Sequence, residues 1–229
     1  MTYALLAEST TTFERVATDP EAFAIVVAGT GESSCSGVDH ADVPVESRGR
    51  ACRVGADLPA WLKWTRSKLA VATVDGPAVG MGAEFATHCD AWEASTTACF
   101  AWNFVHRGLA PDAGAASWLQ PRQVGLAAAL RLVFSGEFLS TEVPALGSVR
   151  TVVGPSQVAA AFAQERHHSK GSPAATSPGK ELIYARLEPG VTEHPAVNRA
   201  AMVACFASAG HREGVGAFPE QREQRFVDH

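Results

Sequence analysis

The stretch that decides the fold is Lys68-Leu69-Ala70-Val71-Ala72-Thr73-Val74-Asp75-Gly76-Pro77-Ala78-Val79-Gly80-Met81-Gly82-Ala83-Glu84. Leu69 to Val74 is apolar on consecutive positions and rich in β-branched residues, the pattern of a parallel strand buried on both faces. Asp75-Gly76-Pro77 stops it, because glycine and proline break a strand ladder. A helix follows from about Gly82, then a short strand near Asp90 to Ala94. Upstream, Phe23 to Ala28 is a second apolar run, stopped by Gly29-Thr30-Gly31, and predicts another fully buried strand. Buried strands alternating with helices predict an α/β fold with right-handed crossovers.

Working outward, Leu5 to Thr18 has the spacing of an amphipathic helix ending at Asp19-Pro20. His40 to Ala56 is polar and carries Pro44, Gly49 and Gly55, which predicts a long surface loop feeding a helix over Leu58 to Lys68. His167 to Lys180 contains Gly171, Ser172, Pro173, Ser177, Pro178 and Gly179 and predicts a break before a helical tail, Lys180 to Phe206. The chain of 229 residues is long enough for one sizeable core, and 46% hydrophobic with 19% charged residues is an ordinary globular composition. A net charge of −5 gives no general pull toward nucleic acid or an anionic membrane. The five cysteines form no CxxC pair and no Cys/His metal spacing, which predicts reduced thiols, no metal and a cytoplasmic protein. No signal peptide or membrane span is expected.

Each strand is followed by a glycine-bearing turn. The first is Ser34-Cys35-Ser36-Gly37-Val38-Asp39 and the second Gly76-Pro77-Ala78-Val79-Gly80-Met81-Gly82. Strand C-terminal ends are where α/β sheets bind ligands. Glycines there let backbone approach a ligand with free N–H groups. Two such amides converging on one carbonyl oxygen make an oxyanion hole; one glycine turn opening a helix can equally bind phosphate.

With these motifs the chain resembles the enoyl-CoA hydratase/isomerase (crotonase) family. The first turn matches the family's Phe-(Ser/Ala)-Ala-Gly-x-Asp segment. Lys68 to Gly76, Gly80 to Glu84 and Cys89-Asp90 match its core signature. Gly108 to Gly114, Leu119 to Gly125 and the tail from His211 through Phe218, Arg222 and Phe226 continue the match, which spans about Thr12 to Asp228. The resemblance implies a ββα spiral core over 1–166, a linker over 167–180 and a C-terminal helical oligomerisation region over 181–229. It implies an acyl-CoA substrate, with coenzyme A part of that substrate and no separate cofactor, and a homo-oligomer, trimer or hexamer. The oxyanion-hole amides fall on Val38 and Met81. Ser36, Val38, Asp39, His40, Ala41, Gly80 and Phe104 fall along the ligand, and Glu84 falls on the first catalytic carboxylate. Asp112 falls where the family's isomerases and its aromatic dehalogenase place an aspartate.

The departures carry as much as the matches. The second hydratase carboxylate falls on Phe104, Met81 replaces the usual glycine, and the usual tail lysine is Gln221. The family's opening strands have no counterpart before the first helix, which implies either a degenerate member that binds or assembles without turnover, or a start codon placed too late. Hydration needs one group to deprotonate water and one to protonate carbon, each supplying about 10²–10⁴-fold. Phe104 does neither. Moving a double bond needs a carboxylate to shuttle one proton while the oxyanion hole carries a dienolate, so the expected activity is isomerisation by Glu84 and Asp112. Hydration, attack by Asp112 on an aryl-CoA, and binding without turnover remain the alternatives. Glu84 also suits a helix N-terminus, Asp112 suits a turn, and His88, His106 and Cys35 suit packing roles.

Overall fold

The computed structural model describes residues 1–39, 67–107, 119–140, 147, 149–155, 157, 173–187, 209, 213, 220–222 and 225. Helix α1 (Tyr3–Thr18) is capped by the Thr2 hydroxyl, which accepts from the Leu5 amide at 3.2 Å. Strands β1 (Ala24–Ala28), β2 (Leu69–Val74), β4 (Ala91–Ser95) and β7 (Val149–Val153) form a parallel sheet in the order β1-β2-β4-β7. Strands β3 (Pro77–Val79), β5 (Cys99–Ala101) and β6 (Leu139–Ser140) form a second sheet, with β3 and β5 parallel and β5 and β6 antiparallel. Helix α2 (Met81–His88) separates β3 from β4, and helices α3 (Gln120–Val124) and α4 (Leu126–Ser135) precede β6. The chain thus gives one strand to each sheet in turn, β2 then β3, β4 then β5, which is the expected ββα spiral.

Strand register explains the core. Ile25 pairs with Ala70, Ala72 with Trp92 and Val74 with Ala94, so these side chains share one sheet face. Trp92 stacks on Phe100 of the other sheet with ring centroids 5.0 Å apart, and Phe100 on Trp102 at 6.5 Å. Phe13, Val16 and Ala17 of α1 pack against this cluster. The opposite face carries Val26, Val71, Thr73 and Glu93.

β2 is buried along almost its whole length, as its apolar run predicts. β1 is not fully buried. It is the edge strand of the described sheet, and Val26 is 43% and Phe23 53% exposed. An unbroken apolar run reports hydrophobicity, not the number of neighbours that will cover it. The C-terminal helix α5 (Pro173–Leu187) begins inside the segment expected to be a break. Proline at its first position forfeits no helical bond, whereas Pro178 lies inside and does. The loop and helix expected over 40–66 lie outside the described residues.

α5 is tied to the sheet by Lys180, whose side chain is only 8% exposed. Its ammonium donates to the Asp90 carboxylate at 2.5 Å and to the Lys68 carbonyl at 2.6 Å. Asp90 Oδ2 also accepts from the Ala70 amide at 2.7 Å. Burial raises the Asp90 carboxyl above its ordinary range, with Lys180 and that amide pulling the other way. Burial likewise pushes up the Cys89 thiol next to it, an unreactive, packing cysteine.

Candidate active site

The two glycine turns are stitched to each other. Cys35 forms a parallel bridge with Ala78, the Val79 amide donates to the Cys35 carbonyl at 2.8 Å, and the amides of Ser34 and Cys35 both donate to the Pro77 carbonyl at 3.1 Å. The first turn therefore runs beside β3 like one more strand, and delivers Gly37-Val38 against the start of α2. Two glycines make that approach possible. Gly37, at φ +100°, lies so close that a Cβ there would stand 3.2 Å from the Val79 carbonyl oxygen and 3.9 Å from the Met81 nitrogen. A Cβ on Gly82 would stand 2.3 Å from the Cys35 carbonyl oxygen, which no side chain tolerates.

Gly80 precedes α2 at φ +54°, and its amide donates to the Ala101 carbonyl at 2.9 Å, locking the second turn to β5. Met81 is the first helical residue, so its amide is one of the donors a helix cannot satisfy internally. Neither the Val38 nor the Met81 amide donates a hydrogen bond within the described residues. Around Val38, the Met1 nitrogen donates to the Gly37 carbonyl at 2.6 Å and the Asp39 amide to the Met1 carbonyl at 2.8 Å.

Glu84 sits in the first turn of α2, fully buried, with its amide bonded to the Gly80 carbonyl at 3.0 Å. Burying an ionisable carboxyl costs free energy, which makes Glu84 a candidate for function. His88, one helical turn on, is also buried. Phe104 lies in a 3-10 helix (Asn103–Arg107) and packs, half-buried, against the aromatic core. Ser36 and Asp39, in the first turn, are exposed. The structure thus gathers Gly37, Val38, Gly80, Met81 and Glu84 around the start of α2. His40, Ala41 and Asp112 lie outside the described residues.

Sequence reasoning passed over three residues. Glu93 is buried on β4, opposite Thr73 and Thr151. Lys180 is the clamp described above. Asn103 stands beside Gly80 and went unremarked because the family match directs attention to position 104. A separate cleft of about 760 Å³ opens at the strand ends between Gly29, Glu32, Thr73, Asp75 and Thr97, and contains none of the gathered residues. Among the described residues no cluster of His, Cys, Asp and Glu could hold a metal, and no helix is long and apolar enough to cross a membrane.

Comparison with known proteins agrees with this fold. The sequence profile of the enoyl-CoA hydratase/isomerase family matches residues 1–229. A probable enoyl-CoA hydratase from Rhodobacter capsulatus is 32% identical over 90% of this chain and 82% of its own. The 1,2-epoxyphenylacetyl-CoA isomerase of Escherichia coli is 30% identical over 98% of this chain and 87% of its own. The crystal structure of an enoyl-CoA hydratase from Polaromonas superposes with a TM-score of 0.83 at 26% identity, over 96% of this chain and 88% of that one. With a whole-length profile match and relatives at this identity and coverage, the chain belongs to the enoyl-CoA hydratase/isomerase family.

Proposed function

We propose that this chain is an enoyl-CoA double-bond isomerase. The observation that carries the reading is a buried Glu84 on the helix opened by Met81, whose amide donates no hydrogen bond among the described residues, together with a phenyl ring, Phe104, where hydration would need its second carboxylate. Glu84, with Asp112, takes a proton from C2 of a 3-enoyl thioester. The C–H electron pair moves into the thioester, giving a dienolate whose oxygen accepts from the Val38 and Met81 amides. Return of the proton to C4 places the double bond between C2 and C3 and restores the carboxylate. The step is redox-neutral, and coenzyme A enters only as part of the substrate. Ser36, Val38, Asp39, His40, Ala41, Gly80 and Phe104 form the wall along the acyl-CoA. Leu126, Leu130 and Phe134 are spaced four residues apart on the exposed face of helix α4 (Leu126–Ser135), which supports a homo-oligomer.

The test is to incubate the protein with a 3-enoyl-CoA and, separately, a 2-enoyl-CoA, following the absorbance of the conjugated thioester. The expected result is conversion of the first, with a fall of about 10²–10⁴-fold in Glu84→Gln. Full activity in both Glu84→Gln and Asp112→Ala refutes the assignment. Robust water addition to the 2-enoyl-CoA makes the protein a hydratase, as the name of the Rhodobacter relative has it.

A further inference from the structure

Position 103 carries a polar group that the reaction above does not use. Asn103 opens the 3-10 helix between Trp102, fully buried, and Phe104, packed on the core, so both neighbours hold its backbone still. Its side chain is set toward the two turns. The point where a Cβ would stand on Gly80 is 3.9 Å from Asn103 Oδ1 and 4.0 Å from Gly37 Cα, and a Cβ on Gly37 would stand 3.9 Å from the Met81 nitrogen. Gly80, with no side chain of its own, thus has the carboxamide on one side and Gly37 close by, and Gly37 in turn lies against the Met81 amide.

The carboxamide is half-buried and makes no hydrogen bond within the described residues. Its terminal oxygen and nitrogen exchange by a half-turn about the last side-chain bond, so it can present a donor as readily as an acceptor. It carries no charge and gives up no proton, so it supplies neither acid nor base. What remains is a dipole that can turn a donor toward the place where, on the acyl-thioester reading, negative charge develops.

We infer that the Asn103 side-chain amide is a third hydrogen-bond donor to the thioester oxygen, added to the main-chain amides of Val38 and Met81. The inference rests on the acyl-thioester reading but not on the choice between isomerase and hydratase, because both pass through an enolate. A donor aimed at the oxygen strengthens as charge accumulates there, so it favours an enolate over a neutral thioester.

Two ligands separate these cases. Acetoacetyl-CoA, a 1,3-dicarbonyl, forms a stable enolate; butyryl-CoA does not. Titration calorimetry of the full chain with each gives a ratio of dissociation constants that does not depend on what fraction of the protein is active. The expected result is that Asn103→Leu weakens acetoacetyl-CoA by about tenfold to a hundredfold and leaves butyryl-CoA unchanged within about twofold. Asn103→Ala, which removes the carboxamide without adding bulk, is the second variant should the leucine disturb the fold. Asn103→Asp, which sets a negative charge beside the enolate, should weaken acetoacetyl-CoA further still. Equal weakening of both ligands, or of neither, overturns the role of Asn103 while the acyl-thioester reading stands. Failure of the unaltered protein to bind either ligand overturns that reading and the role of Asn103 with it.

Discussion

Replacing Gly82 with alanine adds one methyl group at the closest contact between the two turns. That carbon would stand 2.3 Å from the Cys35 carbonyl oxygen and 2.7 Å from Cys35 Cβ. Ordinary contact begins about 1 Å further out, so either residue 35 or the start of α2 must move by roughly that much. The nearest atom is backbone, which cannot rotate away as a side chain would. The same carbonyl accepts from Val79 at 2.8 Å, and the Cys35 amide donates to Pro77 at 3.1 Å, so the shift stretches the bonds that align the first turn. Overpacking of this kind costs about 1–3 kcal/mol. A displacement near 1 Å beside the reacting atoms costs about 10²-fold in rate. Urea denaturation measures the first quantity and 3-enoyl-CoA conversion the second. Gly179→Ala is the control, because a Cβ there meets nothing within 4 Å. That substitution lies inside α5 and should stabilise by up to about 1 kcal/mol. A Gly82→Ala protein with unchanged stability and rate would show that the close approach does not set the turn geometry.

Lys180→Met leaves Asp90 covered without its ammonium and should cost about 3–5 kcal/mol by chemical denaturation, most of it recovered in Asp90→Asn/Lys180→Met; no recovery means the lysine acts through something other than this pair. Burial holds the folded Asp90 carboxyl above its ordinary value, so the folded state binds that proton more tightly than the unfolded chain. The stability tied to it is full below about pH 4 and lost as pH rises through the folded value. Lys180→Met removes the opposing charge, so its melting temperature should rise more than the parent's between pH 7 and pH 5, and an equal rise refutes the assignment. On α4, Leu126 is 65%, Leu130 44% and Phe134 68% exposed. The double variant Leu130→Glu/Phe134→Glu should lower the sedimenting mass if copies of the chain meet there, and an unchanged mass puts their contact elsewhere.

Much of the fold was legible because its signals are local. The run Leu69 to Val74 and the glycines at 80 and 82 need only their own neighbours in sequence to declare a buried strand and a tight strand-to-helix turn. Leu5 to Thr18 declares its helix by period. Coverage is not local. Phe23 to Ala28 is as apolar as β2, yet β1 has one described neighbour and β2 has two. The start of α5 was hidden by Pro173, Pro178 and Gly179, whose composition signals a break even though proline is welcome at a helix start. At the candidate site, Val38, Met81 and Glu84 were assigned through motif register. Asn103 was not, because what distinguishes it is its distance from Gly80, and no spacing along the chain encodes that. Lys180 was missed for the same reason.

The Lys180 clamp also sets an order of events in synthesis. Lys180 follows Asp90 by 90 residues and Lys68 by 112. At the pace of translation, roughly 5–20 s separate the making of Asp90 from the making of the lysine that neutralises it. Through that interval the strand ends they share, at the starts of β2 and β4, hold a carboxylate and the Lys68 carbonyl with no ammonium between them. All four described strands of the parallel sheet, the last ending at Val153, are therefore made before the lysine that pins the starts of β2 and β4, and a ribosome stalled before residue 180 would display them with the Asp90 carboxylate not yet met by its ammonium.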